Sequence, residues 1–287
     1  MTVGAERSSL TLADGRTLTY LAVGDPGGQV VLHHHGGLVS AGDIVPLDGP
    51  ANHAGIRLIA FDRPGIAGST LAVGRTVLDG GADAEQLLDH LCIDEVRVMG
   101  WSMGGPYALA TAFRLGPRTL RTAIIAGALP LDDPATVAEL NSMDRRFTGL
   151  ASEHAELLRA AAAGLGGMAR FTPSLWARAA GDGEGAADEA ALRRDAEAMA
   201  SAAAAGTVQH EGVVEEYLAW ARPWGFDRAD ITTPVDVWRG TEDHLLPPTW
   251  ASRLADGLPR AELHVVDGVG HFLLLTKAED VFAVLLR

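Results

Sequence analysis

The strongest constraint on the fold is a set of short, largely apolar runs at 29–32, 58–61, 96–99, 123–126 and 235–238, each ended by turn-forming residues. Runs this brief suit strands covered on both faces rather than helices. A stretch at 17–23 alternates as a half-buried strand does, and 263–266 is also strand-like. Between them, 84–91, 103–115, 250–258 and 278–286 carry an apolar residue every three or four positions, as helices with one buried face do. Strands alternating with helices predict an α/β architecture with a mostly parallel sheet between helical layers.

The stretch 131–228 departs from this rhythm. It holds alanine-rich helical segments at 155–163 and 187–205 and no convincing strand. Gly164, Gly166, Gly167 and the glycine-rich run 181–185 are expected to break it into short pieces. The organisation read from the sequence is a core in two parts, 1–130 and 229–287, interrupted by a helical insertion at 131–228.

Composition removes several function classes. Lys and Arg total 23 against 37 Asp and Glu, a formal charge of −14 that opposes approach to a phosphate backbone, so no nucleic-acid partner is expected. Cys92 is the single cysteine, which excludes an internal disulfide and a cysteine-based metal framework. No apolar run follows Arg7 and none reaches about 18 residues, so neither a signal peptide nor a membrane span is expected and the expected location is cytoplasmic.

The chemistry starts at Gly100-Trp101-Ser102-Met103-Gly104. The motif follows the apolar run 96–99 and opens a helical stretch, the strand–turn–helix setting that exposes a serine hydroxyl on a tight elbow. A serine hydroxyl needs a base, and a base needs an orienting acid. Asp243 follows the run 235–238, and His271 follows 263–266 within Gly268-Val269-Gly270-His271. Glu242, Asp132 and Asp133 compete with Asp243 for the acid; His244, His154 and His210 are weaker rivals of His271. An oxyanion hole needs two backbone N–H groups. Met103 supplies one, and His35-Gly36-Gly37-Leu38 supplies the other, assigned to Gly37 with Leu38 as the near alternative.

Together these motifs resemble the α/β-hydrolase superfamily, in the serine-nucleophile branch that carries a helical cap. Asp62-Arg63-Pro64-Gly65 with Gly68 and Ser69, Pro247 and Phe272 are similar to the family pattern as well, whereas Thr276 stands where an acidic residue is common. The resemblance implies an eight-stranded, mostly parallel sheet, no cofactor, and a cap at 131–228 roofing the substrate pocket.

Several residues admit a plainer reading. Met143, Phe147, Phe171, Trp176, Tyr217, Trp220, Trp224 and Phe226 either pack the insertion or line the pocket, and burial accounts for most large apolar side chains. Trp101, Met103, Leu38, His34, Phe147, Trp176 and Trp220 are carried forward as pocket candidates. Arg145 and Arg146 could bind an anionic group, although exposed helix arginines are common. His33, His34 and His35 alternate faces along a strand and cannot converge on one ion, so no metal is expected. His35 is expected as a buried, hydrogen-bonded support of the oxyanion loop, and Asp236, a carboxylate within an apolar run, to lie near an edge or pair with an arginine.

The reading is an enzyme, a serine hydrolase acting on a small to medium, largely apolar ester, lactone or thioester. Alternatives on the same triad are a C–C bond hydrolase, a cofactor-free perhydrolase or a natural-product tailoring enzyme; a ligand-binding protein is the reading from another class.

Overall fold

The apolar runs become the central strands β3 (Gln29–His34), β4 (Ile56–Phe61), β5 (Val96–Trp101), β6 (Thr119–Ile125) and β7 (Val235–Gly240), joined by β1 (Ser8–Thr11), β2 (Thr17–Gly24) and β8 (Ala261–Val266). In the computed structural model, which describes residues 7–176 and 185–287, these form one eight-stranded sheet of order β1-β2-β4-β3-β5-β6-β7-β8. β1 pairs antiparallel with β2 and β2 antiparallel with β4; the other pairings are parallel.

Alternate residues of the central strands feed two apolar layers. Leu32, Ile59, Val98 and Ile124 pack with α2 (Val77–His90), α3 (Gly105–Leu115) and α10 (Trp250–Asp256), while Val31, Leu58, Met99 and Ala123 pack with α1 (Asp48–His53) and α11 (Leu273–Leu285). Each fully buried side chain of this size contributes about 1.5–3 kcal/mol. Asp236, at the β7 position paired with Glu262, is satisfied from both neighbouring strands: Arg121 donates at 2.5 and 2.9 Å and His264 lies at 2.9 Å. Asp236, Glu262 and His264 have ligand atoms within 4.8 Å of one another, with the Arg121 guanidinium already on Asp236.

Between β6 and β7 the described residues are helical: α4 (Pro134–Glu139), α5 (Ser142–Glu153), α6 (Ala155–Phe171), α7 (Ala186–Arg194), α8 (Ala196–Gly206) and α9 (His210–Trp220). Two expectations are corrected. Gly164, Gly166 and Gly167 do not break the chain, because they lie inside α6, where a Cβ at Gly166 would sit 2.3 Å from Thr207 Oγ1 just beyond α8. The stretch expected as one helix over 187–205 divides at Asp195, whose φ and ψ of −115° and 24° are not helical. Residues 181–184 of the glycine-rich run fall outside the described residues. Among the described residues no helix is long and apolar enough to cross a membrane.

Candidate active site

β5 ends at Trp101, and the chain turns at once through Ser102 into α3. Ser102 has φ of +55°, a conformation that costs energy for a residue with a Cβ and persists only where the surroundings enforce it. They do so by crowding: a Cβ at Gly100 would meet Gly104 O at 2.4 Å, and one at Gly104 would meet His34 O at 2.1 Å. Both flanking glycines of the motif are therefore steric requirements. Ser102 remains half-buried beside fully buried neighbours.

Asp243 and His271 stand in the loops after β7 and β8, next to each other because those strands are paired. His271 Nδ1 lies 3.1 Å from Asp243 Oδ2, with both side chains about 3% exposed. The other carboxylate oxygen accepts the N–H groups of Leu245 and Leu246, each at 3.0 Å. Burial pushes Asp243 upward, but the charge and hydrogen bond of His271 and these two amides outweigh it and hold the carboxyl below its ordinary value. An ionised Asp243 accepts only, so Nδ1 of His271 is the donor in the pair. The Trp101 indole N–H donates to the His271 carbonyl at 3.0 Å, and its ring also abuts Phe272.

The loop after β3 is held by a buried ion network. Arg63, fully buried, donates to the carbonyls of His35 at 2.6 Å and Gly36 at 2.9 Å. In a trans peptide the C=O and N–H point opposite ways, so binding the Gly36 carbonyl to Arg63 turns the Gly37 N–H away from it. A Cβ on Gly37 would lie 3.4 Å from Met103 Cγ and 3.2 Å from Trp220 Cη2, which brings the oxyanion-loop and elbow candidates side by side. Glu216 of α9 receives Arg63 at 2.7 Å through both oxygens and Arg75 at 2.6 Å. Burial raises Glu216, but the two guanidinium groups win and bring it down to about 2. His35 accepts the Arg63 N–H at Nε2 and approaches Gly36 O through Nδ1, the pattern of a neutral ring; burial and then Arg63 push its pKa well below the ordinary value.

The three consecutive histidines separate: His33 to Asp43 at 3.1 Å, His34 to Thr111 at 2.8 Å, and His35 to its own loop. His34, expected in the pocket, is fully buried with its ring against Phe61 and Tyr107, which commits it to the β3–α3 interface. Phe147 is buried edge-on against Tyr217 within the insertion, and Trp176 is half-buried in the apolar layer shared with α11. Trp220 reaches the loop after β3 at Gly37, and Leu38 of that loop, with φ of +58°, is half-buried. Of the insertion arginines, Arg145 donates to Ala138 O at 3.2 Å. Met143 and Phe171 are exposed.

Sequence reasoning did not single out Asp188, Arg75 or Glu216. Asp188 of α7 accepts the N–H groups of His271 and Phe272, each at 2.8 Å. The signal that could have marked Glu216 is its helix: α9 is polar at Glu215 and Glu216 where its neighbours are apolar, and buried carboxylates need partners, which are the Gly74 N–H for Glu215 and two guanidinium groups for Glu216.

The profile of the Alpha/beta hydrolase family matches residues 30–284, and the chain belongs to that family; its class of activity is that of a hydrolase. Among curated proteins, a poly(3-hydroxyalkanoate) depolymerase from Ectopseudomonas oleovorans is 26% identical over 236 residues, covering 81% of this chain and 74% of that protein. Among solved structures, a bromoperoxidase from Bacillus anthracis superposes with a TM-score of 0.73 at 18% identity, covering 98% and 99% of the two chains. The enol-lactonase from Burkholderia xenovorans LB400 superposes with a TM-score of 0.68 at 19% identity, covering 97% and 98%. These structural likenesses are likenesses of fold.

Proposed function

We propose that the chain is a serine esterase or lactonase that works through an acyl-enzyme on Ser102. His271 takes the serine proton as Ser102 Oγ attacks the carbonyl, Asp243 holds the imidazole by Nδ1 and stabilises its charged form, and the N–H groups of Gly37 and Met103 receive the oxyanion. The imidazolium returns its proton to the leaving alkoxide or thiolate, and water, deprotonated by the same histidine, releases the acid. The observation that carries the reading is the buried 3.1 Å contact between Asp243 and His271, with His271 also hydrogen-bonded to Trp101, the residue before a serine on a positive-φ elbow.

Residues 131–228 act as a cap over this site, with Trp220 and Leu38 as the walls nearest the oxyanion loop. A small to medium, largely apolar acyl group suits such walls, and the depolymerase relative is named for acting on poly(3-hydroxyalkanoate). The test is intact-mass measurement after a fluorophosphonate probe, on the wild type and on Ser102→Ala. The expected result is a single adduct on the wild type, none on the variant, and a fall in 4-nitrophenyl butyrate turnover of about 10³-fold or more. A variant with wild-type turnover would overturn the assignment.

A further inference from the structure

We infer that Asp188, carried by the insertion helix α7, is a positioning residue for His271, so that seating of the insertion and alignment of the imidazole are one event. The inference rests on the triad reading above.

Asp188 is 1% exposed and belongs to a different part of the chain from the loop it binds. Its Oδ2 accepts the His271 N–H and its Oδ1 the Phe272 N–H, both at 2.8 Å. Phe272 is the N-cap of α11, so these two amides open that helix, where donors have no intrahelical partner and a negative charge is favoured by the helix dipole. The cap residue's own side chain cannot do this work; a carboxylate from 84 positions away does. The two acids act on different parts of His271, Asp188 on the backbone N–H and Asp243 on Nδ1 of the ring.

The local packing is built around this contact. A Cβ on Gly270 would fall 2.2–2.3 Å from three atoms of the Asp188 carboxyl group, so glycine at 270 is what allows the approach. On the other flank of α7, Arg194 donates to the Leu275 carbonyl, and Leu192, fully buried, shares an apolar layer with Leu273. α7 is thus fastened to the start of α11 at several points, with Asp188 as the one that reaches His271. The charged groups facing Asp188 are His271 and Asp243; burial raises its carboxyl above the ordinary value, and the two amides and His271 only partly offset this. Withdrawal of α7 would strip two amides and a carboxylate of their partners together, and this shared cost is what couples the seat of α7 to the backbone of His271.

The test uses the full chain. kcat and KM for 4-nitrophenyl butyrate are measured per fluorophosphonate-titrated serine for the wild type, Asp188→Asn and Asp188→Ala, with melting temperature recorded alongside. Asn retains one acceptor and presents an amide N–H to the second backbone donor. The expected fall in kcat per titrated serine is about 10-fold for Asn and about 100-fold for Ala, with KM within about twofold, because a misplaced base damages the chemical step rather than binding. A merely structural role would lower the melting temperature and the titratable fraction but leave kcat per titrated serine at the wild-type value, and that outcome overturns the inference. If Asp188→Ala does not fold, Gly270→Ala displaces the carboxyl group without removing it, and unchanged kcat there overturns the inference equally. Failure of the triad reading is distinguishable, since the wild type itself would then carry no adduct on Ser102.

Discussion

Replacing Glu216 by Gln tests whether the network that holds the loop after β3 is a true electrostatic clamp. Glu216 is 2% exposed and shares its two oxygens between Arg63 and Arg75, themselves 0% and 5% exposed. Glutamine keeps the shape but leaves two buried guanidinium groups facing a neutral amide. Breaking a buried pair by removing one partner costs about 3–5 kcal/mol. The lowering of the Glu216 pKa from 4.5 to about 2 gives an independent figure of about 3 kcal/mol, at about 1.4 kcal/mol per tenfold change in proton affinity. The sign with pH follows: a carboxyl lowered by folding contributes stability that is complete above its unfolded pKa and is lost as pH falls toward its folded one. Urea unfolding at pH 7 is therefore expected to show the variant about 3 kcal/mol less stable, and at pH 3.5 this gap is expected to shrink by about 1.4 kcal/mol. A gap below about 1 kcal/mol at pH 7, or one that is the same at both pH values, would refute the electrostatic account.

The other predictions concern backbone clearance and a second, partly buried ion pair. Gly104→Ala places a Cβ 2.1 Å from His34 O, a backbone atom that cannot yield, and is expected to cost about 3 kcal/mol and to abolish fluorophosphonate labelling of Ser102; calorimetry showing a melting temperature within about 2 °C of wild type would contradict this. Arg121→Ala leaves the fully buried Asp236 with His264 alone and no guanidinium to match its charge, and is expected to cost about 1–3 kcal/mol, whereas Arg121→Leu combined with Asp236→Val recovers most of that loss in the same urea assay. A double variant as unstable as the single one would show that the stranded charge is not the cause.

The strands that carry the candidate site were legible because burial on both faces leaves an unbroken apolar run. The run 29–32 is the first four residues of β3 and 96–99 the first four of β5, so each stops two residues short of its strand's end. β1 was missed: it is four residues long, at the sheet edge and mostly exposed, so no pattern marks it. α2 was read only from 84 because Gly80 and Gly81 look like breakers; they are there because Tyr107 and the Ala110 carbonyl of α3 leave no room for a Cβ. Ser102, Asp243 and His271 could be read because strand ends announce them. Asp188 could not, since its partners lie more than 80 positions away and acidic residues on helices are ordinarily solvated, and Glu216 had only the apolar setting of its helix to mark it.

The pairing of β3 with β5 has one more consequence. His34 is in register with Gly100, so the two loops that end in Gly37 and Ser102 leave the sheet from the same rung of one hydrogen-bonded ladder. Their separation is a property of the hydrogen-bonded frame, in which a slip of one residue would turn every side chain of β3 over. Insertion side chains such as Trp220 of α9, which lies against Gly37, carry no such obligation. Under the proposed reading, acceptance of new acyl groups can drift by changes in those side chains while the reacting atoms keep the spacing the ladder dictates, a freedom that ends at insertion positions such as Asp188 and Glu216, which hold His271 and Arg63.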